Sequence, residues 1–237
     1  MSLPAATRHR LLAAVGIGAG AIAAVLIALS VTGSKKEPAP PATVHGAAEA
    51  SALLDGIPQR GNVLGSPSAP VTLVEYADLQ CTYCGIWARK TFPSLVREYV
   101  RPGKVKLVFR GLAFIGTDSE TALRTGLAAG EQDRLWNVVV LLYANQGEES
   151  SGWVSDDLLR GVGEAVPGLN VGRMLDGRDS PAADEALASA QTAADAAGIT
   201  GTPSFEVGRT GGPLQRLEIR SLDPSAFRPA LDALLEQ

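Results

Sequence analysis

The chain is poor in the residues from which most catalytic centres are built. Its 237 residues include two cysteines and two histidines. Both histidines, His9 and His45, precede the segments that read as a folded domain. A structural zinc site takes four cysteine or histidine ligands. The domain offers two cysteines and no histidine, so zinc would have to be bridged between chains or completed by carboxylates. Covalent haem attachment places a histidine directly after the second cysteine of a C-x-x-C motif, and Gly85 stands there. A basic cluster is also missing. Two of the 21 lysines and arginines lie in the first 32 residues, leaving 19 against 25 acids, a net charge of −6. An acidic domain of this kind argues against nucleic acid as a partner.

A third absence is local. Leu11 to Gly33, "LLAAVGIGAGAIAAVLIALSVTG", contains no charged side chain. A membrane-spanning helix needs about 20 apolar residues, whereas the apolar core of a secretory signal runs to about 7–15. Residues 11–33 are therefore expected to form a retained transmembrane anchor, the alternative being a cleaved signal peptide. A short basic segment, 1–10, precedes it. Residues 34–54, opening "SKKEPAPPATVHGAAEA", have the proline, alanine and charge of a solvated linker. The domain proper is expected over 55–237, outside the cytoplasm, or secreted if the N-terminal segment is removed.

Within it, "APVTLVEYAD" (69–78) reads as a buried strand, since near-continuous apolar runs suit a strand covered on both faces. Thr82 to Val100 reads as a helix kinked near Pro93, and "KVKLVFRGL" (104–112) as a second strand. Strand, helix, strand predicts a parallel pair. About 116–199 lacks convincing strands and reads as an inserted helical subdomain, with Ser155 a helix cap and Gly198 a helix stop. "TPSFEVGR" and "LQRLEIRS" then form a hairpin turning at Gly211 and Gly212, and a closing helix starts with Asp223 as cap and Pro224 at its first position.

Both cysteines fall in "EYADLQCTYCGIW" (75–87), between strand and helix. A disulfide closing so short a loop restrains the unfolded chain little, which makes a purely structural role a poor reason to keep it. At a helix N-terminus, free backbone N–H groups favour an anion. A thiolate at Cys81 is therefore stabilised and made a better leaving group. Cys84, one turn on, lies within its reach. C-x-x-C beside a βαβ unit is the thioredoxin-like redox signal. Glu75, inside the buried strand, can accept or return a proton beside a thiol; the alternative is a strand edge where it reaches water. Asp78 either caps the helix or shapes the turn.

"VTLVEYADLQCTYCGIW" and "GITGTPSFEVG" (198–208) together resemble the DsbA-like branch of the thioredoxin superfamily, over about residues 62–237. That family has a buried acid six positions before the first cysteine, matched by Glu75, and a Gly-Thr-Pro loop facing the dithiol, matched by Gly201, Thr202 and Pro203. The helical insertion and "VKLVFR" before it are also the family's arrangement. The resemblance implies an α/β, thioredoxin-like fold with a central mixed sheet. It implies a thiol–disulfide oxidoreductase working outside the cytoplasm of a bacterium, needing no cofactor because the sulfurs carry the electrons. Cys81 would be the nucleophile, Cys84 the resolving thiol and Glu75 the proton relay. Thr202 would present backbone groups to an extended substrate segment, and Pro203, in a cis peptide bond, would leave no N–H beside the sulfurs. The implied partners are exported cysteine-containing proteins and a membrane redox partner that recycles the pair. Oxidation is the expected direction. The alternatives are a reductase of the same fold, or a tethered binding protein whose cysteines stay bonded. This chain departs from the pattern at Thr82-Tyr83. Many relatives have proline first in that dipeptide, and the best-known oxidase has Pro-His. Without that histidine a less extreme oxidant is expected.

Overall fold

A computed structural model describes residues 43–237. The basic segment 1–10, the expected anchor 11–33 and linker residues 34–42 lie outside the described residues. Among the described residues no helix is long and apolar enough to cross a membrane.

The domain begins earlier than residue 55, which corrects the expected linker boundary. Helix α1, Ala47–Leu54, buries Ala50 and Leu54. Just ahead of it, the His45 N–H donates to Asn145 Oδ1 (2.8 Å) and Asn145 Nδ2 donates back to the His45 carbonyl (3.0 Å). An alanine-rich stretch reads as a spacer by composition, but alanine is also the strongest helix former, and Ala50 and Leu54 share one helical face.

Two short strands follow, β1 (Gln59–Arg60) and β2 (Val63–Leu64), then β3 (Val71–Ala77). Helix α2 (Thr82–Lys90) breaks at Thr91. It resumes as α3 (Phe92–Leu95), with Pro93 in its first turn, and a π-helical turn Val96–Val100. Proline has no N–H to give and its ring crowds the carbonyl four residues back. Strand β4 is Val105–Gly111. Between it and β5 (Ser204–Arg209) the chain is helical: α4 (Thr117–Gly130), α5 (Leu135–Ala144), α6 (Asp156–Glu164), α7 (Val171–Asp176) and α8 (Pro181–Ala196). The Ser155 hydroxyl caps α6 by accepting from Leu158 N–H. After α8, Gly198 takes a left-handed conformation (φ +65°) that reverses the chain. Strand β6 (Gln215–Arg216) completes the hairpin, with Gly211 at φ +83° in the turn. The closing segment is a 3₁₀ turn, Pro224–Ala226, then α9 (Arg228–Leu235). The Asp223 side chain makes no capping bond; it accepts instead from the Ser221 hydroxyl. A second proline, Pro229, lies in the first turn of α9, and the α-helix proper starts there.

The six strands lie in the order β1-β2-β4-β3-β5-β6. Strand β3 is central, parallel to β4 and antiparallel to β5. Every residue of β3 is buried. With the strand's period of two, Val71, Leu73, Glu75 and Ala77 face one side and Val74 and Tyr76 the other, and each side has its own apolar cluster. Trp87 of α2 packs in a ring of aromatics with Phe92, Phe205 of β5 and Phe227, centroids 5.2–6.2 Å apart. That cluster holds the helix carrying the cysteines against the strand that follows Pro203.

Candidate active site

The turn between β3 and α2 is held by Asp78. Its Oδ1 accepts from Gln80 N–H (2.8 Å), and its Oδ2 accepts from Phe114 N–H (2.7 Å) and Ile115 N–H (3.1 Å) beyond β4. Asp78 thus shapes the turn; the residue at the N-cap of α2 is Cys81 itself. The Tyr143 hydroxyl of α5 donates to the Asp78 carbonyl (3.1 Å), and Gln146 Nε2 donates to the carbonyls of Leu79 (3.0 Å) and Cys81 (3.1 Å). A Cβ at Gly85 would displace the Gln146 side chain from the Leu79 and Cys81 carbonyls it holds.

Cys81 and Cys84 are free thiols, both buried. The Cys84 N–H donates to Cys81 Sγ (3.4 Å), and the Cys81 thiol donates to the Thr202 carbonyl (3.3 Å). The pKa of Cys81 is lowered to about 6, chiefly by a hydrogen bond from the Cys84 side chain. The Thr202 side chain and the N–H groups of Cys84 and Tyr83 add to this, against the desolvation of a buried sulfur. Cys84 moves the other way, pushed up by burial first and then by its neighbours Cys81 and Glu75. One turn of helix therefore holds a thiolate at its start and a protonated thiol one turn in.

Glu75 lies on the central strand, opposite Phe109 and Phe205, which removes the sheet-edge alternative. It is buried, and neither carboxyl oxygen has a hydrogen-bond partner among the described residues. Burial, and then the charge of Cys81, raise its pKa well above the usual carboxylate range. The peptide bond between Thr202 and Pro203 is cis. The structure thus brings Glu75, Cys81, Cys84, Thr202 and Pro203 to one end of the sheet. Tyr83 and Phe114 are the large hydrophobic side chains left exposed among the described residues, and both adjoin this turn. Sequence reasoning missed Tyr143, Gln146 and Glu149, which accepts from Thr82. The only signal for Gln146 and Glu149 was the polar run "NQGEESSG" after the apolar helix α5, and Tyr143 reads as one more residue of that helix.

What these contacts build is a centre for thiol–disulfide exchange, with one sulfur poised as thiolate and the other held in reserve. The thioredoxin family model matches residues 59–215. A protein named "Probable disulfide bond formation protein D" in Bacillus cereus is 33% identical over 147 residues, covering 61% of this chain and 68% of that protein. Among solved structures, oxidised BdbD from Bacillus subtilis superposes with a TM-score of 0.65 at 21% identity, over 76% of this chain and 98% of that one. The α-DsbA1 of Wolbachia pipientis gives 0.64 at 20% identity, over 77% and 92%. The two superpositions speak to the fold. The chain belongs to the thioredoxin family, on its DsbA-like branch, and is a protein thiol–disulfide oxidoreductase.

Proposed function

We propose that this chain is an extracytoplasmic oxidase that passes its Cys81–Cys84 disulfide to exported proteins. The observation that carries the direction is the seat of Cys81 at the start of α2, where its sulfur accepts the Cys84 N–H and its pKa is lowered. A stabilised thiolate stabilises the reduced pair, and a pair more stable when reduced takes electrons from other thiols.

The exchange runs in two steps. A client thiolate attacks Cys81 Sγ; the client–Cys81 bond forms and the Cys81–Cys84 bond breaks. Cys84 leaves and takes a proton, for which the protonated Glu75 is the buried donor, consistent with burial raising both groups. A second client thiolate then attacks the client sulfur of the mixed disulfide, and Cys81 departs as thiolate. The client loses two electrons and becomes a disulfide; the pair gains two and becomes a dithiol. Thr202 and the cis Pro203 border the sulfur under attack, where an extended client segment lies as an added strand. Tyr83 and Phe114 supply apolar footing beside it. A membrane redox partner accepts the two electrons and restores the disulfide, and residues 11–33 keep the domain at the membrane's outer face.

Mixing the oxidised protein with a reduced two-cysteine peptide tests the direction. One peptide disulfide should appear per protein dithiol formed; a peptide left reduced would refute it. Protease added to intact cells should degrade the domain, and full protection would refute the location.

A further inference from the structure

The N-terminus of α2 serves two side-chain acceptors, and only one of them is Cys81. Glu149, in the loop between α5 and α6, reaches the start of α2. Its Oε1 accepts from the Thr82 N–H (2.9 Å) and from the Thr82 hydroxyl (2.9 Å). Thr82 is the first residue of α2, and Cys81 Sγ takes the N–H of Cys84 on the same turn. Four covalent bonds and one hydrogen bond separate the Glu149 oxygen from the Cys81 sulfur, about 8 Å at most. A helix N-terminus offers a limited set of free N–H groups and about half a positive charge. Here a carboxylate occupies part of it.

We propose that Glu149 is a positioning residue that tunes the dithiol: its charge at the start of α2 opposes the Cys81 thiolate and holds the pair on the less oxidising side. The inference rests on Cys81 being the reactive thiol. The other groups that bear on the Cys81 sulfur are Cys84 and the Tyr83 N–H on α2, Glu75 on β3, Tyr143 on α5 and Thr202 before β5. None of them is a cation; the cation on the same helix, Arg89, is turned to the Tyr143 carbonyl (2.6 Å). The loop carrying Glu149 is itself tied to the active-site turn, since Ser150 N–H donates to Gln80 Oε1 (2.7 Å) and Gln146 holds the Cys81 carbonyl. The charge is thus kept in place and not merely near.

Glu149→Gln keeps an oxygen for Thr82 and removes the charge. A like charge at this separation, screened by solvent, moves a pKa by about half a unit. The experiment follows thiolate absorbance of the reduced protein against pH and the glutathione equilibrium at pH 7, for wild type, Glu149→Gln and Glu149→Ala. Both variants should lower the Cys81 pKa by about half a unit. They should shift the equilibrium about threefold toward the dithiol, or about 14 mV at 29.6 mV per tenfold. As a second measurement needing no variant, added salt should lower the wild-type Cys81 pKa, because the repulsion it screens is exposed. If Glu149→Gln matches wild type while Glu149→Ala differs, Glu149 is only a cap and the tuning role is overturned. A Glu149→Gln shift in the opposite sense, or a salt effect of opposite sign, overturns it as well. A wild-type protein that does not exchange with glutathione removes the oxidoreductase reading itself, and the tuning role with it.

Discussion

Glu75→Leu should make the protein more stable and less active at once. Glu75 sits on the central strand with neither oxygen bonded among the described residues, between Leu73 and Ala77 on its own face and opposite Phe109 and Phe205. Leaving a buried polar group unpaired costs about 1–3 kcal/mol, and an apolar group of similar shape removes that cost. For a domain of this size, about 2–4 °C of melting temperature accompanies each kcal/mol, so a rise of about 2–12 °C is expected. The gain depends on pH, with a sign set by the raised pKa of Glu75. Below the carboxyl's ordinary value of 4.5 both folded and unfolded forms are protonated, and the wild type pays nothing extra. Above it the unfolded chain ionises first, so wild-type stability is lost as pH rises toward the folded pKa, by up to about 1.4 kcal/mol per pH unit. Urea denaturation of both proteins at pH 4 and pH 7 should show the variant's advantage growing with pH. In the same preparations, disulfide exchange with a dithiol peptide should slow by about 10²-fold, the low end for a lost proton donor. A variant less stable than wild type, or one equally fast, would refute the reading of Glu75 as a functional residue held at a cost in stability.

Other consequences are more direct. Cys84→Ser should accumulate mixed disulfides between Cys81 and client proteins in cells, visible as adducts released by reductant; a clean band would count against catalysis. Alkylation of the reduced wild type by iodoacetamide should rise through about pH 6 and level off by pH 7. At pH 7 a thiol of pKa about 6 is about 90% thiolate against about 3% for an ordinary cysteine, so a midpoint near 8.5 would contradict the assignment. Because that pKa is depressed, its contribution to the stability of the reduced form is complete above about 9 and lost as pH falls through about 6. Trp87→Ala should cost about 3–5 kcal/mol in urea denaturation, since it empties the aromatic cluster shared with Phe92, Phe205 and Phe227; a loss below about 1 kcal/mol would show that the cluster does not hold α2 in place.

Much of the site was legible in the sequence because its parts are local or carried by motifs. Cys81 and Cys84 share one helical turn, Glu75 lies six residues away on the preceding strand, and the Gly-Thr-Pro segment has few other uses. The fold was legible where the hydrophobic pattern is strong: an unbroken apolar run in β3, alternation in β4 and helical spacing in the inserted helices. What escaped was tertiary. Ala47–Leu54 looks like linker until Ala50 and Leu54 find a surface to cover. Asp223 looks like a cap, but Pro229 moves the start of the last helix past it. Gln146 and Glu149 are ordinary polar loop residues whose meaning lies in reaching back more than 60 positions to the carbonyl of Cys81 and the N–H of Thr82. No local pattern announces such a contact. The same holds for Tyr143, which reads as one more apolar residue of α5.

The reduction potential of the Cys81–Cys84 pair, measured against glutathione, tests the oxidase claim most directly. The Cys81 pKa of about 6 falls between the values of about 7 for thioredoxin and about 3.5 for DsbA. Those scaffolds have potentials of about −270 and −120 mV, and a thiol pKa between theirs places this pair between those limits. Structural disulfides of exported proteins lie below about −300 mV, so such a pair would favour client oxidation by about tenfold or more. A potential between about −270 and −120 mV is the predicted result; one below about −300 mV would contradict the account, because the pair would then give electrons to such disulfides.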